Sequence, residues 1–207
     1  MEQFNKEMIY LRGILIGGKL YKAARALEFA SQHHTGTRKD GVTPEYQHQL
    51  SIAHLVRSLG PSLLFLEETL ASVFLHDTLE DCEVSRDDLL DEFGVQITDA
   101  VCLLTKKSKF MGFRKDIDAY YEQMAACPIA SIVKGADRAH NILTMPGVFS
   151  EEKMISYMIE TEDVVLPMLK AARRNFPAQE LAYENIALNI KNQMSIIRKL
   201  RNQLVGA

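Results

Sequence analysis

Apolar positions recur at helical spacing along almost the whole chain. Residues 20–34 place Ala23, Leu27 and Ala30 on one face. A polar, turn-rich stretch follows from Thr35 to Pro44 and contains Gly36 and Gly41. A second helix is expected from about Glu45 to Leu59, with Leu50, Ala53, His54 and Val56 inward, and Gly60-Pro61 ends it. Glu67 to His76 reads as a strongly apolar helix, central to the core. Ser85 is placed to cap a short helix stopping at Phe93-Gly94, and Val95 to Leu104 forms the next. A basic loop, Lys106-Lys107-Ser108-Lys109, leads into a helix from Phe113 to Ala126. Pro128 opens a helix reaching about Thr144. Ser150-Glu151-Glu152 starts a long helix kinked at Pro167, and a last one covers about Ala178 to Leu204. No element is assigned to residues 1–19, and neither a strand pattern nor a repeat emerges. The expected fold is all-α, a compact multi-helix bundle.

The chain has 207 residues, an apolar share of 47% and a net charge of −3. That length suits one domain, 1–207, with its motifs at about 20–150 and closing helices at 151–207. The weak charge shows no nucleic-acid footprint. Cys82, Cys102 and Cys127 are odd in number and form no CxxC, so neither a disulfide framework nor a cysteine zinc site is expected. Glu2, Lys6, Glu7 and Arg12 interrupt the apolar N-terminus, unlike a signal peptide, and no run approaches a membrane span. The expectation is a cytoplasmic protein with neither nucleic acid nor membrane as partner. Its oligomeric state is left open.

Candidate chemistry concentrates at Leu75-His76-Asp77-Thr78-Leu79-Glu80-Asp81. Here the apolar run Leu70 to Leu75 ends in four ionisable residues, and buried charges persist when they are paired or coordinate a metal. His48, His76, Asp77 and Asp137 are candidate metal ligands on three separate helices. Imidazoles mixed with carboxylates suit manganese, iron, zinc or magnesium. Neighbouring helical residues point about 100° apart, so His76 and Asp77 can share one ion only near a helix end. Asp137, Asn141 and Thr144, spaced i, i+4, i+7, share one helix face with Lys134. That polar stripe on an otherwise apolar helix suggests a lined cavity. Gly135 in mid-helix costs about 1 kcal/mol against alanine, which close approach of a backbone or ligand would explain. His54 and His140 read as structural histidines, and the Lys106–Lys109 cations as a solvated loop.

These segments resemble the HD-domain hydrolases, and within them the hydrolase half of the RelA/SpoT family and its stand-alone small alarmone hydrolases. The matching pieces are His33 with Arg38-Lys39, Tyr46-Gln47-His48, Leu75 to Asp81, and Lys134 to Thr144; Thr105-Lys106 also resembles a family element. The likeness covers about residues 20–150. It implies an HD-domain bundle and a manganese ion held by His48, His76, Asp77 and Asp137. It also implies that Glu80 and Asp81 orient or activate the attacking water. Arg38 and Lys39 would contact the nucleotide, Asn141 the metal site or ribose, and Thr144 the ribose or phosphate. Lys39, Lys134 and Arg138 would offset phosphate charge. The implied reaction removes the 3′-pyrophosphate from guanosine 3′,5′-bis(diphosphate), ppGpp. Three features depart from the family pattern. Gln49 replaces the proline after the first metal histidine, the 38–48 loop is spelled differently, and Gly36-Thr37 stand where a glutamine usually precedes Arg-Lys. Two alternatives keep the fold: the same chemistry on another nucleotide, such as a dinucleotide 2′-phosphate, or a non-catalytic nucleotide sensor.

Overall fold

The computed structural model describes residues 2–107 and 117–205. Among the described residues there are twelve α-helices. The first four are α1 (Glu2–Gly17), α2 (Tyr21–His33), α3 (Tyr46–Ser58) and α4 (Leu66–Leu75). Next come α5 (Thr78–Asp81), α6 (Arg86–Phe93), α7 (Val95–Leu104) and α8 (Ile117–Ala125). The chain continues through α9 (Pro128–Thr144), α10 (Glu151–Glu160), α11 (Leu166–Asn175) and α12 (Glu180–Val205). Among the described residues there is no strand, only an isolated bridge between Thr37 and Pro44. The all-α expectation holds. Ser108, Lys109 and the first residues expected for the Phe113–Ala126 helix lie outside the described residues, as does the side chain of Leu204.

The core forms around α4 because Thr69 to Leu75 are all buried, whichever way they point. A helix apolar on every face must be surrounded, and α2, α3, α7 and α9 all pack on it. His76 therefore leaves the end of α4 deep inside the protein. Ser85 caps α6 through a reciprocal pair with Asp88, and Gly94 ends that helix at φ 81°, a backbone that favours glycine.

The closing helices are built into the same core. Gln179 accepts from the Leu64 N–H at 2.9 Å and donates to the Pro128 carbonyl at 3.1 Å, pinning the start of α12 to α9. Tyr183 on α12 meets Ser131 on α9 at 2.8 Å. Between α10 and α11 the chain does not break at Pro167; it widens into a π-helical turn, Thr161–Val165. Proline has no N–H for the i−4 carbonyl, and the wider turn lies just before Pro167, which sits at the start of α11.

Two expectations are corrected. Gly135 does accommodate a close approach, but by side chains from behind the helix: a Cβ there would sit 2.8 Å from Leu169 Cδ2 and 2.9 Å from Ile186 Cγ2. His54 is half-buried at the edge of α3, 3.4 Å from Glu7 Oε1, because α1 covers that edge only partly. No described helix is long and apolar enough to cross a membrane.

Candidate metal centre

Three helices converge on one buried floor. His48 comes from the first turn of α3, His76 from the end of α4 and Asp137 from the middle of α9. They are 3%, 4% and 5% exposed, and their ligand atoms lie within 4.8 Å of one another. His48 Nε2 is 3.1 Å from Asp137 Oδ1, and His76 Nε2 is 3.9 Å from the same oxygen. Asp77, at the junction of α4 and α5, is outside this mutual set but places Oδ2 3.1 Å from His76 Nε2.

Whether these residues suit a cation is tested by His76. Its Nδ1 donates to the Val73 carbonyl at 2.8 Å, since a carbonyl only accepts. In the neutral ring that leaves Nε2 as a buried lone pair facing Asp77 and Asp137. A lone pair aimed at two carboxylates is repulsive unless a proton or a metal ion lies among them. The donor set therefore fits a divalent ion. Burial opposes a charge on His76, yet Asp77 and Asp137 outweigh it and push the imidazole up to about 9. Burial also opposes the charge on Asp137, but Lys134 and the two histidines hold its carboxyl far below the usual range. Lys134 Nζ donates to Asp137 Oδ2 at 3.1 Å. Burial pushes the imidazoles of His48 and His140 down, that of His140 to about 3.

Above the floor opens a cavity of about 700 Å³. Its near wall is the 35–45 loop, closed on itself where Asp40 accepts from the N–H groups of Val42 and Thr43. This turn presents Arg38, which donates to Asn141 Oδ1 at 3.0 Å, while Asn141 donates to Asp137 Oδ1 at 2.6 Å. The loop is thus wired to the floor through one amide. Lys39 lies 5.0 Å from the Phe149 ring centre and Lys153 lies 4.0 Å from it, two cations on one aromatic ring at the mouth. Lys39 is held below its usual value first by Lys153, then by burial, then by Arg38 and Lys107.

Glu80 and Asp81 both line the cavity but in different settings. Glu80 Oε1 accepts from the backbone N–H groups of Lys106 and Lys107, and burial raises its pKa nonetheless. Asp81 is exposed. Thr144 also lines the cavity, with its hydroxyl returned to the His140 carbonyl at 3.0 Å.

Arg138 is engaged within the protein: it reaches Glu160 at 3.3 Å and Thr161 at 3.2 Å and stacks 3.9 Å from the Tyr157 ring centre. It binds α9 to α10 and the π turn, and it also lines the cavity. Sequence reasoning passed over His34, Phe149, Lys153 and His140. His34 is 2% exposed and lines the cavity, unlike its neighbour His33. For His140 the signal was its place three residues after Asp137, on the cavity side of α9.

The HD domain family model matches residues 26–174. The chain belongs to the HD-domain family. HD hydrolases use a divalent metal ion, and this floor offers a His/Asp set for one. A guanosine-3′,5′-bis(diphosphate) 3′-pyrophosphohydrolase of Aquifex aeolicus is 29% identical over 147 residues, 70% of this chain and 20% of that protein. A GTP pyrophosphokinase of Brucella melitensis is 30% identical over 150 residues, 70% of this chain and 19% of that protein. The chain thus spans about a fifth of the length of these curated relatives. Among solved structures, a metazoan ortholog of SpoT that hydrolyzes ppGpp superposes with a TM-score of 0.61 at 19% identity, over 84% of this chain and 94% of that one. This likeness shows the same fold.

Proposed function

We propose that this chain, as one domain over residues 1–207, is a manganese-dependent hydrolase that removes the 3′-pyrophosphate from ppGpp. The observation that carries the reading is the convergence of buried His48, His76 and Asp137, with Asp77 beside them, beneath a cation-lined cavity. The hydrolase name of the Aquifex relative and the ppGpp hydrolysis by the metazoan protein support the choice of substrate. The second relative is named for pyrophosphate transfer to GTP, but the region matched is the HD domain, whose His/Asp floor suits hydrolysis.

His48, His76, Asp77 and Asp137 would hold the ion. Bound there, a divalent ion supplies Lewis acidity, lowering the pKa of water and drawing charge from a phosphoryl oxygen. The remaining work falls to the chain. Glu80, fixed by two backbone N–H groups and raised in pKa by burial, is the better proton acceptor of the Glu80–Asp81 pair. The water oxygen joins the phosphorus attached to O3′ and the P–O3′ bond breaks. Pyrophosphate leaves carrying the new oxygen, and Glu80 takes a proton from the water and returns one to O3′, so that it ends as it began. Asp81, exposed at the wall, orients the water. Lys134 keeps Asp137 ionised and offsets phosphate charge. Arg38, Lys39, Arg138, Asn141 and Thr144 position the nucleotide, and Arg138 also holds Tyr157 and Glu160 in the wall.

The test is a nucleotide-phosphate panel with added Mn²⁺. Guanosine 5′-diphosphate and pyrophosphate from ppGpp support the reading. Turnover of a different nucleotide alone would keep the metal chemistry and discard the substrate. No turnover of any member, with ppGpp still bound, would leave a sensor.

A further inference from the structure

We propose that His140 is a positioning residue that decides which nitrogen of His48 is free to hold a divalent ion. The inference rests on the reading of the floor as a metal centre. His48 and His140 face each other Nδ1 to Nδ1 at 2.8 Å. Two bare lone pairs would repel at that distance, so one proton lies between them, and its owner fixes the state of both rings.

There are two arrangements. In the first, His48 Nδ1–H donates to His140, and His48 Nε2 is a lone pair 3.1 Å from Asp137 Oδ1. Nitrogen and carboxylate can then serve one ion. In the second, His140 donates to His48, and the His48 proton moves to Nε2, where it donates to Asp137. No lone pair remains for a metal. Both arrangements carry the same number of protons, so the choice is one of tautomer.

His76 faces no such choice, because its Nδ1 meets the Val73 carbonyl, which can only accept. The two histidines of the floor are thus set by different means, one by a backbone carbonyl and the other by a side chain that can be replaced. A metal-bound histidine depends on the partner of its other nitrogen for orientation and basicity. His140 lies three residues after Asp137 on α9. One helix therefore supplies both a carboxylate of the floor and the group that prepares the facing imidazole.

The contact is made through Nδ1, which guides the choice of variants. His140→Asn places an acceptor oxygen, Oδ1, close to where Nδ1 stood. His140→Leu places a methyl group there, of similar bulk and with no acceptor. Mn²⁺ binding is read from the electron paramagnetic resonance of free Mn²⁺, and folding from the melting temperature of the metal-free proteins. His140→Leu should bind Mn²⁺ about 10–100-fold more weakly than the unaltered protein, and His140→Asn should stay within about threefold of it. Long-range ¹H–¹⁵N spectra of the unaltered protein loaded with Zn²⁺ should show the His48 proton on Nδ1. Unchanged Mn²⁺ affinity in His140→Leu, or equal losses in both variants, overturns the proposal. If His140→Leu fails to fold, the Zn²⁺ spectra decide: a proton on His48 Nε2 overturns it and one on Nδ1 supports it. An unaltered protein that binds no Mn²⁺ overturns the metal reading itself, a result distinct from either.

Discussion

The floor and the mouth of the cavity are built on opposite principles. The floor gathers His48, His76, Lys134 and Asp137 from three helices, and every one is paired or oriented by a neighbour. Burying that much charge without a purpose would be costly, so its geometry is over-determined and ready before any ligand arrives. The mouth is made of a turn, a linker and the first turn of α10, where Arg38, Lys39 and Lys153 sit within reach of solvent. Charges there are screened and individually weak. The difference teaches where to look for chemistry and where for selectivity: the floor should govern turnover, the mouth affinity.

The sharpest way to break this contrast is to remove charge from the floor. Asp137→Asn keeps the shape but takes away the anion that three partners share; kcat/KM should fall by about 10³-fold or more, with Mn²⁺ binding lost in parallel. Glu80→Gln should slow kcat by about 10²–10⁴-fold and spare Mn²⁺ affinity, since Glu80 is no part of the His48–His76–Asp137 set. A calorimetric titration beside the rate measurement separates the two effects. Acidity probes the floor without mutation. His76 is pushed up to about 9, so below that pH an ion must displace a proton to bind. Mn²⁺ affinity should therefore rise by about tenfold per pH unit towards pH 9 and then level off; a flat profile from pH 6 to 9 would contradict the role of His76. The smallest effect belongs to the mouth. Lys153→Glu should raise KM for ppGpp by about 3–10-fold with kcat unchanged, and the penalty should shrink in high salt. A loss of kcat instead would erase the distinction between floor and mouth.

Much of the floor could be read in the sequence because its residues sit at fixed places in strongly patterned helices. The apolar run before His76 announced a buried helix end, and Pro128 and Thr144 bounded α9 as expected. The spacing of Lys134, Asp137 and Asn141 did put them on one face, where they bond to one another. What could not be read depends on packing between distant segments. Arg138 lines the cavity, and only packing shows that it also pairs with Glu160 of α10. Gly135 is explained only once Leu169 and Ile186 press against its back. The meeting of Lys39 with Phe149 and Lys153 joins residues more than a hundred apart, from a turn, a linker and the start of α10. His140 looked like a core histidine, since nothing local shows that His48, from another helix, would face it at 2.8 Å.

The most direct test of the central claim is to incubate the metal-stripped protein with ppGpp, with and without Mn²⁺, and to separate the nucleotide products. A metal-bearing floor predicts guanosine 5′-diphosphate and pyrophosphate only when Mn²⁺ is present, with none from Asp137→Asn. Hydrolysis at equal rates with and without the ion, or undiminished in Asp137→Asn, would contradict it.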